Sequence, residues 1–250
     1  MAAAHLQLLS CNIHAGGSVR RYGDYVTKSW KHVLPARGLR GNLDQFAGLL
    51  TEFDLVGLQE ADAGSLRSGF VNQTQYLAEA AGFPYWSHQP NRKIARFAAS
   101  ANGLLTRNEP DEVLDYPLPG RIPGRGALWV RFGELIVVIA HLSLGPAARR
   151  AQFEFLADLI GAHDHVVLMG DLNCTAHSPE LKLLYRKTAL TPPTESPPAT
   201  FPSWKPRRAI DHILTTPGMR IERLWTLPHP VSDHLPLAAR VRLPAALTKN

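Results

Sequence analysis

The chain predicts a mixed α/β (α+β) fold in which two mostly antiparallel sheets pack face to face with helices outside, and three observations predict it. Short apolar runs recur along all 250 residues, at a length and β-branched content that suit strands. Stripes with helical spacing lie between some of these runs. One pair of runs is separated by a single glycine-bearing turn, so part of the sheet must be antiparallel. Sheets with one face on a core and helices on the other satisfy this mixture.

Taken in order, the predicted strands are Leu6 to Ile13, Leu55 to Leu58, Leu104 to Thr106, Ala127 to Phe132, Leu135 to Ala140, Val166 to Met169, Ile210 to Leu214 and Leu237 to Leu243. Phe132-Gly133-Glu134-Leu135 is the hairpin turn. A first helix starts behind Asn42, with Gln45 three residues later as a capping box and Leu43, Phe46, Leu49 and Leu50 on one face. Phe153, Leu156, Leu159 and Ile160 mark a second helix. Ser178-Pro179-Glu180 opens a third, which runs through Leu184. Pro117 to Gly126, carrying Arg121 and Arg125, is irregular. Thr191 to Pro206 is rich in proline but holds Phe201 and Trp204 and runs into a strand, so it reads as an ordered loop. No repeat and no hydrophilic linker divides the strands, and residues 1–250 are expected to form a single domain.

A chain with 45% hydrophobic and 19% charged residues can bury a sizeable core. Its net charge of +6 favours a partner that carries phosphate, because Lys and Arg raise the local anion concentration. The two cysteines, Cys11 and Cys174, have neither redox nor zinc spacing and suit a reducing compartment. They neighbour two candidate site asparagines and could approach one another. Leu8-Leu9-Ser10-Cys11 looks like a lipoprotein cleavage box, but no basic segment precedes it and the apolar stretch is too short for a signal core. The longest aliphatic run, Leu135 to Ala140, cannot span a bilayer. The expectation is a cytoplasmic protein without stable membrane insertion; its oligomeric state is open.

Polar residues stand at the ends of nearly every predicted strand: Asn12, Glu60, Asn102, His141, Asp171, Asn173, Asp211, Asp233 and His234. Any one of them has an ordinary explanation as a turn, cap or buried hydrogen-bonded group. Together they would burden most strands with polar groups that are costly to bury for no purpose. An adjacent carboxylate and imidazole, as in Ser232-Asp233-His234-Leu235-Pro236, can make and hold a general base.

These residues occur in motifs that resemble the exonuclease/endonuclease/phosphatase superfamily, which includes deoxyribonuclease I, abasic-site endonucleases, inositol polyphosphate 5-phosphatases and neutral sphingomyelinases. The motifs are Ser10-Cys11-Asn12-Ile13-His14, Leu58-Gln59-Glu60, Asn102-Gly103-Leu104-Leu105, Ala140-His141-Leu142, Gly170-Asp171-Leu172-Asn173, Ala209-Ile210-Asp211-His212-Ile213 and Ser232 to Pro236. Thr200-Phe201-Pro202-Ser203-Trp204 resembles the generic bacterial branch. The absence of a tyrosine from Phe97-Ala98-Ala99-Ser100-Ala101 departs from the abasic-site endonucleases.

The resemblance implies a four-layer αββα sandwich with its site at one edge of the sheets, and Mg²⁺-dependent cleavage of a phosphoester, with Mn²⁺ as the alternative ion. Glu60 is the leading metal ligand, with Asn12 beside it and Asp233 as a further contributor, in keeping with the preference of Mg²⁺ for hard oxygen donors. His234 is the leading base, oriented by Asp211, and Asp171 is its rival. Asn12, Asn173 and His141 are donors to the transition-state oxygens, and His141 can also protonate the leaving oxygen. His14 and His212 read as packing or supporting groups.

The substrate is less defined. Asn102 is one candidate contact. Arg20 and Arg21 open a basic, aromatic insert that runs to Arg40, and Arg92 and Arg96 lie in Asn91 to Phe97; the resemblance puts both segments in loops at the rim. Such groups suit a nucleic acid, a phospholipid headgroup or a small phosphorylated metabolite. A phosphodiester is preferred to a monoester, a nuclease of DNA or RNA is the second hypothesis, and a catalytically inactive phosphate-binding module is the third.

Overall fold

A computed structural model describes residues 4–14, 39–94, 98–121, 124–193, 196–229 and 231–248. The first sheet contains β1 (His5–Asn12), β2 (Leu55–Asp62), β3 (Tyr85–Ile94), β4 (Ala98–Thr106), β10 (Arg220–Thr226) and β11 (Leu237–Arg242). Its order is β10-β11-β1-β2-β4-β3. The second contains β5 (Glu112–Pro117), β6 (Gly126–Phe132), β7 (Leu135–His141), β8 (His165–Asp171) and β9 (Asp211–Thr215), in chain order. Each sheet is mixed. The β1–β2 and β7–β8 pairs are parallel, and every other pairing is antiparallel.

Strand alternation sorts the apolar residues into three interfaces. On β7, Leu135, Val137 and Ile139 face the other sheet and, together with Val167 and Met169 of neighbouring β8, pack against its Leu8 and Leu104. Their neighbours Ile136, Val138 and Ala140 face outward onto Phe153, Leu156, Leu181 and Leu184. These belong to α3 (Pro146–Ile160) and α4 (Pro179–Lys187). On the far side, Leu9, Cys11, Val56 and Leu58 pack against Leu43, Phe46, Leu50 and Leu77, from α1 (Leu39–Leu50) and α2 (Gln73–Ala81). The layers therefore run helix, sheet, sheet, helix. Gly57 keeps the two sheets close, since a Cβ there would lie 2.4 Å from Met169 Cε.

The predicted hairpin is present: Phe132 pairs with Leu135 across a turn in which Gly133 takes φ 55°, a conformation that glycine adopts without strain. Ser178 caps α4, its hydroxyl accepting from Leu181 N. The described residues of the Pro-rich segment, 191–193 and 196–206, form no helix or named strand and are fastened by backbone hydrogen bonds, Thr191 N donating to Thr215 O and Ser203 N to Asp233 O.

Several expectations need correction. Helix α1 includes Leu39–Leu50, so Asn42 lies inside it and is not its cap. Residues Asn91 to Ile94 are part of β3 rather than a loop. Cys11 and Cys174 do not approach one another, because they face opposite helical layers. Strands β3, β5 and β10 lack a long apolar run, since all three are sheet edges; β5 and β10 have largely exposed or half-buried residues. Helix α2 has few large apolar residues and is delimited instead by Asn72, whose side chain accepts from Thr74 N and Gln75 N, and by left-handed Gly82. No helix among the described residues is long and apolar enough to cross a membrane.

Candidate active site

Strand direction brings the polar residues together. The parallel pairs β1–β2 and β7–β8 end at the same edge of the sandwich, with Asn12 opposite Gln59 and His141 opposite Asp171. Antiparallel β9 starts there, placing Asp211 opposite Asp171. His234 precedes β11, and Ser232 fastens that turn to β1 by donating to Asn12 O at 2.5 Å. The site straddles both sheets: Asn12 Nδ2 from the first donates to Asp171 Oδ2 of the second at 3.1 Å.

Asp171 is the centre of this network. Its Oδ1 accepts Asn173 N at 3.0 Å, while Oδ2 lies 3.5 Å from His141 Nε2 and 3.8 Å from His234 Nε2. The other ring nitrogen of His234, Nδ1, meets Asp211 Oδ2 at 2.8 Å, and Thr200 donates to the same oxygen at 2.5 Å. His234 is thus held between two carboxylates, with the Phe201 ring tilted against it at a centroid distance of 5.0 Å.

Local backbone strain delivers several of these groups. Four described non-glycine residues have positive φ, and three of them, His14 (40°), Glu60 (55°) and Asn173 (53°), are at this edge. Strain of this kind persists only where the surroundings over-determine it, and it gathers at functional sites. Glu60 lies in the register shift between Leu58 and Ala61, where the bulge re-aims its side chain. Gly170 has φ 143°, and a Cβ there would lie 1.9 Å from Ala140 O. Only glycine lets β8 approach β7 immediately before Asp171.

The charges are strongly perturbed. Burial would raise the Glu60 carboxyl, but the hydrogen bond with His14 at 3.1 Å and the nearby His141 and Arg125 hold it well below the usual carboxylate range. Burial, reinforced by the Arg125 guanidinium, lowers His141 to about 3. Burial raises Asp171 to about 7, with Asp211 adding to the rise and His234 opposing it. For His234, burial lowers the value, but Asp211 and Asp171 overcome it and push it up to about 10. The folded site therefore favours a charged His234, a neutral His141 and an ionised Glu60.

Among the predicted site residues, Asn12, Glu60, His141, Asp171, Asn173, Asp211 and His234 share this network. Asp233 is buried beside His234 in the same turn. Asn102 is fully buried, and its Nδ2 donates to Gln89 Oε1 and Gly126 O at 3.1 and 2.8 Å; its Oδ1 has no partner among the described residues. Arg20, Arg21, Arg96 and the side chain of Arg92 lie outside the described residues. His14 supports Glu60, and buried His212 bonds the Cys174 carbonyl at 2.7 Å, so both are supporting groups.

Sequence reasoning did not assign Arg125, whose Nη1 is 2.8 Å from His141 Nδ1 and 4.0 Å from Glu60 Oε1. The hairpin register could have found it, since counting outward from the turn puts Gly126 opposite His141. Nor did it find Arg149 and Gln152 of α3. Gln152 accepts Ser143 N and donates to Pro119 O and Ser143 Oγ, while Arg149 pairs with Glu180 and donates to Leu144 O. Both fasten the turn that follows His141.

Asp171, Asp211 and His234 could also hold a metal ion by proximity. However, the imidazole is a poor donor for a hard ion.

The Endonuclease/Exonuclease/phosphatase family model matches residues 9–234. The solved endonuclease/exonuclease/phosphatase from Beutenbergia cavernae DSM 12333 has a TM-score of 0.74 at 20% identity, covering 97% of this chain and 72% of that one. The mannosyl-6-phosphatase Bt3783 of Bacteroides thetaiotaomicron VPI-5482 has a TM-score of 0.64 at 17% identity, with 94% and 99% covered. ANGEL2, a 2′,3′-cyclic phosphatase solved with adenosine-2′,3′-vanadate, has a TM-score of 0.70 at 14% identity, with 96% of each chain covered. At these identities the likeness is one of fold. No curated protein is significantly similar in sequence.

Proposed function

From the premise that the chain belongs to the endonuclease/exonuclease/phosphatase family of phosphoesterases, we propose that it hydrolyses a phosphodiester with the help of a divalent cation, Mg²⁺ first and Mn²⁺ as the alternative. The observation that carries this is the convergence on Asp171 of donors from both sheets, at distances of 3.0 to 3.8 Å.

The donor set fits such an ion. Glu60 is ionised, its side chain is 26% exposed, and Asn12 offers an amide oxygen beside it; Asp233 is the further carboxylate. These are hard oxygen ligands, too few to fill an octahedral shell, and Mg²⁺ commonly keeps waters in the remainder. Bound there, the ion would offset negative charge on the phosphoryl group and lower the pKa of water.

The remaining chemistry belongs to the chain. Asp171 accepts the proton of the attacking water, since burial has raised its affinity for a proton to match neutral pH. His234, held by Asp211, stays an imidazolium and places positive charge beside the phosphoryl oxygens. His141, neutral and buried, donates from Nε2 to the developing oxyanion. This assigns the base role to Asp171, the rival in the sequence reading, because a His234 clamped between two carboxylates has no free lone pair at neutral pH.

The test is a hydrolysis panel of nucleic acids, phospholipids, nucleotides and sugar phosphates, with Mg²⁺, Mn²⁺ or a chelator. Metal-dependent turnover of a phosphodiester supports the proposal. Turnover of monoesters alone would reassign the substrate class, and none in any arm would favour the inactive phosphate-binding module. A cytoplasmic location accompanies the proposal, in keeping with two free, buried cysteines.

A further inference from the structure

Gly126 of β6 pairs directly with His141 of β7, so the residue before it, Arg125, stands beside the end of β7. Its Nη1 lies 2.8 Å from His141 Nδ1. A guanidinium can only donate, so Nδ1 must be the unprotonated acceptor and a neutral ring must carry its proton on Nε2. That nitrogen is 3.5 Å from Asp171 Oδ2 and 3.7 Å from Glu60 Oε1.

We propose that Arg125 is a positioning residue that locks His141 in its Nε2–H tautomer and so aims a hydrogen-bond donor into the site. The opposite tautomer is disfavoured at both ends of the ring. It would direct Nδ1–H at a cation and an Nε2 lone pair at two carboxylates.

The backbone around Arg125 is built to hold it there. Leu118 N donates to Arg125 O at 3.0 Å, and Asn102 Nδ2 donates to Gly126 O at 2.8 Å. A Cβ on Gly126 would lie 2.2 Å from Asn91 Oδ1 and 2.4 Å from Gln89 Oε1, so a side chain there would displace the Gln89 amide that accepts from Asn102. Buried Asn102 thus holds the start of the strand that follows Arg125.

The inference deepens the proposed function, resting on it for the role of the Nε2 proton, but the tautomer is measurable without turnover. Nitrogen–proton correlation NMR on protein with ¹⁵N-labelled histidine rings reads it, and the His141 signal is identified by its loss in His141→Gln. The wild-type ring should be protonated at Nε2 and bare at Nδ1. Arg125→Met should shift the ring toward a mixture of tautomers and lower kcat more than it changes KM, while Arg125→Lys, which restores a cationic donor, should bring back the Nε2–H form. A wild-type ring protonated at Nδ1, or an Arg125→Met ring with an unchanged tautomer, would overturn the inference. A wild-type protein without phosphoesterase activity but with the expected tautomer would sink the proposed function and leave this assignment standing.

Discussion

Asp171 and His234 exchange the roles that an isolated carboxyl and imidazole would take, because each is buried against the other. Burial raises Asp171 to about 7, and its two flanking carboxylates push His234 up to about 10. If Asp171⁻ and His234⁺ are the working forms, kcat/KM should rise as pH passes through about 7 and fall again above about 10. In Asp171→Asn the rising limb should vanish with a loss on the order of 10²- to 10⁴-fold, the usual contribution of a positioned base. A single rise at alkaline pH would instead make His234 the base. Glu60 acts on a different quantity. Glu60→Gln keeps the shape and removes the charge, so titration calorimetry should show weaker Mg²⁺ binding with the fold intact; unchanged affinity would remove Glu60 from the metal site. Most of this network was legible as polar residues at strand ends, since a strand that ends in a carboxylate has few reasons to do so. Arg125 was not, because its link to His141 runs through hairpin register rather than through a motif.

At the scale of elements, the site depends on where strands come close. Gly170→Ala would push a Cβ into the Ala140 carbonyl, 1.9 Å away, at a φ of 143°. Backbone cannot give way cheaply, and the loss of stability should be about 3 kcal/mol or more. Gly57→Ala also meets a close atom, Met169 Cε at 2.4 Å, but that is the flexible end of a side chain, and the cost should be about 1–2 kcal/mol. Denaturant melts of the two variants test the contrast; equal losses would mean that the β7–β8 backbone yields as readily as the Met169 side chain. The central strands announced themselves because both of their faces are buried, which leaves a continuous apolar run. Strands β3, β5 and β10 at the edges, and α2 with its small apolar face, carry too little hydrophobic signal to be read that way. Helix α2 is recoverable only from its capping residues.

In the whole molecule, three stacked interfaces hold two sheets so that their ends meet at one edge, and a hydrogen bond from Asn12 to Asp171 joins the sheets there. That architecture was legible from short apolar runs and helical stripes; the identity of the substrate was not, because the basic segments that would contact it follow no such pattern. The most direct measurement is turnover of one phosphodiester by the wild type, Glu60→Gln and Asp171→Asn side by side, with Mg²⁺ and with a chelator. The wild type should turn over only with the ion, and each variant should lose at least about 10²-fold while melting as the wild type does. Turnover that survives chelation, or a folded Asp171→Asn protein with wild-type rate, would contradict a metal-assisted site centred on Asp171.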